Sequence, residues 1–198
     1  MTRFLAAATF GLGLGLAAAP VFAQPVDYAL DSSHSQVIFN YDHLGFSTTY
    51  GMFSGFAGTI SFDEANPANS SVNVSMPVTS MFTGWEARDK HFMGADFFDA
   101  ANSDEQVTFT STAIEVTGDT TALITGDLTL NGVTKAVVLD ATLNKAGQHP
   151  MAGKPWLGFD ATTTLLRSDF NVGAFAPFIG DEVEVLISVE AELAGDAS

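Results

Sequence analysis

From residue 26 onward the chain alternates apolar and polar side chains in one run after another. The clearest run is the last, "DEVEVLISVEAEL", where Val183, Val185, Ile187, Val189, Ala191 and Leu193 share one face. Glu182, Glu184, Ser188, Glu190 and Glu192 take the other face, with Leu186 as the exception. A period of two marks a strand with one buried and one wet side. The same pattern runs through Val37, Phe39 and Tyr41, through Ile60 and Phe62, and through Val72, Val74 and Met76. It returns at Val107 and Phe109, with Ile114 and Val116 following, and at Leu157, Phe159, Ala161 and Thr163. Asn131-Gly132 lies between two further runs and predicts a hairpin, because a type I′ turn needs positive φ at both positions. Pairing outward from that turn sets Leu130 opposite Val133, Ile124 opposite Leu139 and Ala122 opposite Ala141. Leu128 then falls opposite Lys135, a mismatch near the tip. About eight strands at this spacing predict one antiparallel all-β domain, a sandwich or a barrel.

One segment breaks the alternation. In "TGWEARDKHF", Thr83 and Glu86 stand in the arrangement of a capping box, which predicts a short helix over about 84–93 that ends at Gly94. Arg88, Lys90 and His91 lie toward its C-terminal half, where cations suit the dipole. "GQHPMAGKP" reads as an exposed connection.

Phenylalanine changes the picture. Fourteen of the seventeen lie after residue 23 and cluster in "FSTTYGMFSGFAGTISF", "HFMGADFF" and "DFNVGAFAPF", glycine-rich segments that read as loops and strand ends. Rings placed there suggest a lined cavity; on composition alone, a filled core with aromatic plugs is the simpler account.

Residues 1–23, "MTRFLAAATFGLGLGLAAAPVFA", carry Arg3 as their one charge, an apolar run, and then Pro20 with Val21 and Ala23 at the positions a signal peptidase reads. This predicts a cleaved secretory signal peptide; a membrane anchor is the alternative, although the run is short and rich in Ala and Gly. Removing 23 of 198 residues leaves a mature domain of 175, over 24–198. Export across the inner membrane places it in the periplasm. The chain has no cysteine, so disulfides and thiolate sites are excluded. Net charge is −16, or −17 without Arg3, and the remaining cations are Arg88, Lys90, Lys135, Lys145, Lys154 and Arg167. Nucleic acid is not expected as a partner, since phosphate contacts need clustered cations.

Catalytic patterns are sparse. The chain has no G-x-S-x-G, no H-E-x-x-H, no EF-hand loop, no P-loop and no dinucleotide fingerprint, so neither a cofactor nor a metal is expected. His34, His43, His91 and His149 are scattered; His43 and His91 could meet and bind a metal, but no spacing demands it.

The motifs together resemble the YceI-like family, exported lipocalin-like polyisoprenoid-binding proteins. Tyr28, Leu30, Asp31, His34 and Ser35, then His43, Leu44, Gly45, Gly51, Phe53 and Gly58, follow that family's opening. Asp89, His91, Asp96, Phe97, Phe98 and Asp99 match its second motif, and "TGDLTLNGVTK" its hairpin. Arg167, Ser168, Asp169 and Phe170 match its fourth. Phe92 stands where leucine is usual and Asn171 where glycine is usual. The resemblance implies a single eight-stranded lipocalin-like barrel with the short helix near its mouth. It would be a non-catalytic carrier of a long apolar ligand such as a polyisoprenoid or an isoprenoid quinone. Ligand-binding residues are then expected at Phe39, His43, Phe46, Phe53, Phe56, Arg88, His91, Phe92, Phe97, Phe98, Phe109, Phe159, Arg167, Phe170, Phe175 and Phe178. Arg167, Ser168 and Asp169 are expected to tie a loop to the barrel rim, and Asp31, His34 and Ser35 to form a turn leading into a strand. The resemblance also implies that a homodimer is an available assembly. Other readings are sequestration of foreign lipophilic compounds such as antibiotics, an accessory role delivering quinone to a membrane redox partner, and a hydrolase using His43, His91 and a carboxylate.

Overall fold

The structure, a computed structural model, describes residues 24–100 and 104–195. The signal-peptide reading of residues 1–23 therefore lies outside the described residues. Among the described residues there are ten strand segments: β1 Val26–Leu30, β2 Gln36–His43, β3 Ser47–Phe53, β4 Ala57–Phe62 and β5 Ser71–Pro77, then β6 Gln106–Val116, β7 Thr121–Leu130, β8 Val133–Gln148, β9 Pro155–Leu166 and β10 Glu182–Leu193. One helix, α1 (Glu86–Phe92), lies between β5 and β6.

Ten segments make eight staves. β10 pairs with β2 through 184–188 and with β1 through 191–193, so β1 and β2 are two halves of one broken strand. β3 pairs with β2 and β4 with β1, so the second stave is broken at the same level. Each following strand pairs antiparallel with its predecessor, and β10 closes onto the first stave. The result is the closed eight-stranded barrel expected, in which the outer edge of β3 is met by the Met52–Phe82 bridge.

The break in the first stave is built by Asp31 to Ser35. Asp31 accepts from the Ser33 amide at 2.9 Å and meets the His34 Nδ1 at 2.6 Å. Buried Ser35 then takes a place in the ladder, its hydroxyl facing the backbone O and N of Glu190 at 3.4 and 3.3 Å. This is the turn into a strand that the sequence predicts. The Asn131-Gly132 hairpin forms with φ of 49° and 70° and in the expected register, including Leu128 opposite Lys135. The mismatch is resolved because Lys135 Nζ reaches Asp169 Oδ1 at 2.5 Å across the barrel's top.

Two expectations need correction. The segment "FSTTYGMFSGFAGTISF" is not loop-like: it forms β3, β4 and a short break between them. Glycine is used there because a ring lies over it. A Cβ on Gly51 would stand 2.2 Å from Phe39 Cζ on the neighbouring strand. The helix is also shorter than 84–93 and is not capped by a Thr83–Glu86 box. Gly84 sits at φ 82°, which keeps it out of the helix, and Trp85 is the N-cap, extended and without a side-chain cap bond. Asp89 instead ties the segment before the helix to α1, accepting from the Thr83 amide at 2.9 Å and the Thr83 hydroxyl at 2.5 Å. Glu86 is engaged by Lys90 at 2.6 Å, an i,i+4 pair.

Candidate ligand cavity

The inward faces of the staves do not meet in the middle. They enclose a cavity of about 940 Å³, near the upper end of the 300–1,000 Å³ typical of ligand pockets. On the first two staves its wall is Val37, Phe39, Tyr41 and His43, with Phe53, Thr49 and Ser47 on the paired strand, while Gly51 lies under the Phe39 ring. Val72, Val74 and Met76 continue it on β5, Ile124 and Leu128 on β7, Val137 and Leu139 on β8, and Val185, Ile187 and Val189 on β10. This aliphatic part of the wall was missed as a site. Its signal was present, since each residue has the parity of the buried face already assigned to its strand.

Fifteen of the sixteen expected residues lie on the cavity wall. Phe39, Phe53 and Phe56 cluster on the first two staves, with Phe39 and Phe53 centroids 5.5 Å apart. Phe109 and Phe159 line it from β6 and β9. Phe92, Phe97 and Phe98 cap it from α1 and the loop behind it, with Phe92 edge-on to Phe97 at 4.9 Å and to Tyr41 at 6.3 Å. Phe170, Phe175 and Phe178 enter from the β9–β10 loop, and Arg88, His43, His91 and Arg167 complete the rim. Phe46 is the exception. It is the last residue of the β2–β3 turn, fully out in solvent and not on the wall.

The polar residues of the mouth are committed to the scaffold. Arg88 donates from Nε to the Thr83 hydroxyl at 2.8 Å and from Nη2 to the Thr83 carbonyl at 2.5 Å, which braces the start of α1. Arg167 donates to four carbonyls, those of Gly180, Val172, Ala174 and Ile179, between 2.8 and 3.2 Å. Its guanidinium also lies 5.9 Å from the Tyr41 ring. Burial lowers the Arg167 pKa, with Asp181 pulling the other way. Ser168 bonds Asp181 through both its amide and its hydroxyl, at 2.8 and 2.6 Å, so this motif ties the loop to the rim as expected. Lys135 holds Asp169 in the same tie. Asn171 adopts φ 58°, the left-handed geometry that glycine would take, so its substitution leaves the loop path open. Phe92, the other departure, fills the corner between Tyr41 and Phe97.

His91 Nε2 lies 3.1 Å from Asp96 Oδ2, and its ring packs edge-on against Phe97 at 5.2 Å. His43 sits at the end of β2, bridged to Ile179. Among the described residues, the one His/Asp/Glu group with metal-like spacing is Asp31, His34 and Glu190, remote from both. There Asp31 is held at about 2 by the His34 and Ser33 hydrogen bonds, and the same contact raises His34. Glu190 is already engaged by Trp156 Nε1 at 2.8 Å.

A closed antiparallel barrel with an apolar hollow and a helix at its mouth has the architecture of a binding protein. The YceI-like domain profile matches residues 28–191, and the chain belongs to the YceI-like family. It is 45% identical to Protein YceI of Escherichia coli O17:K52:H18 over 170 residues, covering 85% of this chain and 87% of that protein. Among solved structures, Burkholderia cenocepacia BcnA superposes with a TM-score of 0.73 at 28% identity, covering 82% of this chain and 99% of BcnA. A polyisoprenoid binding domain from Saccharophagus degradans shares the fold, with a TM-score of 0.66 at 16% identity over 85% of this chain and 99% of that domain.

Proposed function

We propose that this protein is a non-catalytic carrier that holds one long isoprenoid lipid or quinone tail in the barrel. The observation that carries the reading is the 940 Å³ hollow with an almost wholly apolar wall. At about 30 Å³ per methylene-sized group, it has room for roughly thirty such groups. Burying them is worth about 0.8 kcal/mol each, or about 24 kcal/mol gross. Association costs of about 4–15 kcal/mol still leave tight binding without any charged anchor. A neutral head group fits the mouth better than a phosphate, because Arg88, Lys90 and Arg167 are all held by scaffold acceptors. Among the described residues, no fully buried side-chain nitrogen or oxygen lacks a partner. Residues 1–23 read as the export signal of such a carrier, with the mature chain beginning at Gln24 in the periplasm.

The test is a titration of the purified chain with isoprenoid quinones of increasing tail length. Affinity should climb with each added unit and level off at about six units, where the hollow is full. Affinity independent of tail length would refute the reading.

A further inference from the structure

We propose that the apolar rim of the cavity mouth docks onto the surface of a lipid bilayer, seating the barrel mouth-down so that its ligand passes between membrane and lumen without crossing water. The inference rests on the carrier reading above. Five large apolar side chains stand exposed around one end of the barrel: Phe46 at 89%, Phe178 at 76%, Trp85 at 63%, Phe175 at 56% and Leu44 at 47%. They come from three separate segments, the β2–β3 turn, the start of α1 and the β9–β10 loop. Those segments are held together by the His43–Ile179 bridge, the Gly180 amide on the Asp42 carbonyl, and His91 against Phe175. At the other end, the turns 63–70, 117–120 and 149–154 and the strand ends beside them expose Met151, Val26 and Val116 but no aromatic ring. The asymmetry marks a face, since scattered exposed apolar residues would need no explanation.

Continuity with the cavity identifies the occupant. Leu44, Trp85, Phe175 and Phe178 are both exposed rim and cavity wall, so the surface that would meet a membrane is also the surface the ligand slides along. Leu44 and Phe175 hold φ of 61° and 67°, a left-handed backbone that bulky residues rarely adopt. Asparagine or glycine would sit there without strain. The chain instead places a leucine and an aromatic ring at two strained positions on the same rim, which points to a role for their side chains. Trp and Phe at such an edge suit the interface between water and hydrocarbon. The cations at this end are engaged, Lys90 by Glu86, Lys135 by Asp169, and Arg88 and Arg167 by backbone carbonyls. Attachment is therefore by apolar insertion, and neutral phosphatidylcholine should serve as well as anionic lipid.

Trp85 on the rim and Trp156 near the far end supply the test. The full chain is mixed with phosphatidylcholine vesicles containing brominated acyl chains, which quench tryptophan at the membrane interface. Decylubiquinone binding is measured separately in buffer. Trp85 emission should be quenched, and the residual Trp156 emission of a Trp85→Phe variant should not. Phe46→Ser should weaken vesicle binding at least fivefold while leaving decylubiquinone affinity unchanged, because Phe46 lies off the wall and its exposure leaves the fold untouched. No quenching, with saturable decylubiquinone binding intact, overturns the docking face and leaves the carrier. Quenching only when the vesicles contain membrane proteins overturns it in favour of a protein partner. Failure to bind decylubiquinone in buffer counts against the carrier reading itself, and so against the docking that rests on it.

Discussion

Replacing Gly51 with alanine is the sharpest probe of how the lumen is kept open. Gly51 lies opposite Phe39, and a Cβ there would come within 2.2, 2.7 and 2.9 Å of three atoms of the Phe39 ring. Its backbone is outside the left-handed region, so the chain itself accepts alanine and the ring must give way. Val37, Tyr41 and Phe53 pack beside Phe39, which leaves the hollow as the open direction. A displaced ring of benzene size takes up to about 150 Å³, or about five methylene-sized groups of ligand. That fraction of the 940 Å³ lumen is about one sixth. The lost transfer energy has a ceiling of about 4 kcal/mol. Even a third of that is about 1.4 kcal/mol, tenfold in affinity. Overpacking in a filled core costs about 1–3 kcal/mol, and an open lumen should keep the stability loss at the low end. The assay compares a long-tailed quinone with decylubiquinone on wild type and Gly51→Ala. Affinity for the long tail should fall at least tenfold and that for the short tail far less, with little change in Tm. A folded variant with unchanged long-tail affinity would refute the idea that the Phe39 ring sets the lumen's width.

Three further substitutions test the scaffold. Arg167→Lys keeps the charge but loses the planar fork that serves four carbonyls, and should cost about 3 kcal/mol in urea unfolding; an unchanged midpoint would contradict the bracing role. Thr83→Val removes the hydroxyl that links Arg88 to Asp89, so the α1 amides should exchange hydrogen faster, with a loss of about 1–2 kcal/mol in local stability; unaltered α1 exchange would count against it. The Asp31–His34 contact makes stability depend on pH. Asp31, depressed to about 2, contributes above its unfolded value and loses that contribution as pH falls; His34, raised, contributes fully below about 6.5 and loses its part as pH rises through the folded value. His34→Gln should thus lower Tm by no more than about 2 °C at mildly acidic pH, with the difference from wild type shrinking in alkali. A difference that grows with pH would contradict the assignment.

Local rules carried the strands where they stood alone. The Asn131-Gly132 turn fixed the β7–β8 register because positive φ is needed at both positions, and alternation fixed the inward face of β10. Local rules failed where a partner from elsewhere in the chain decided the outcome. Glycine among phenylalanines reads as loop, yet Gly51 belongs to a strand because Phe39 lies across it from the neighbouring stave. Thr83 and Glu86 have capping-box spacing, but Asp89 and Lys90 claim them first. Phenylalanine content hinted at a cavity without giving its size, which depends on how eight staves tilt and close. The Phe46 assignment failed for a related reason. Residue type predicts apolar surface, but only the turn's geometry shows that this ring points away from the lumen.

Native mass spectrometry of the protein, purified from its own host without detergent, tests the central claim most directly. A resident lipid should raise the mass by that of one apolar molecule per chain, and gentle activation should release it to leave the bare polypeptide. Protein that is uniformly bare, and that stays bare after incubation with long-tailed quinone, would contradict a hollow built to hold a lipid.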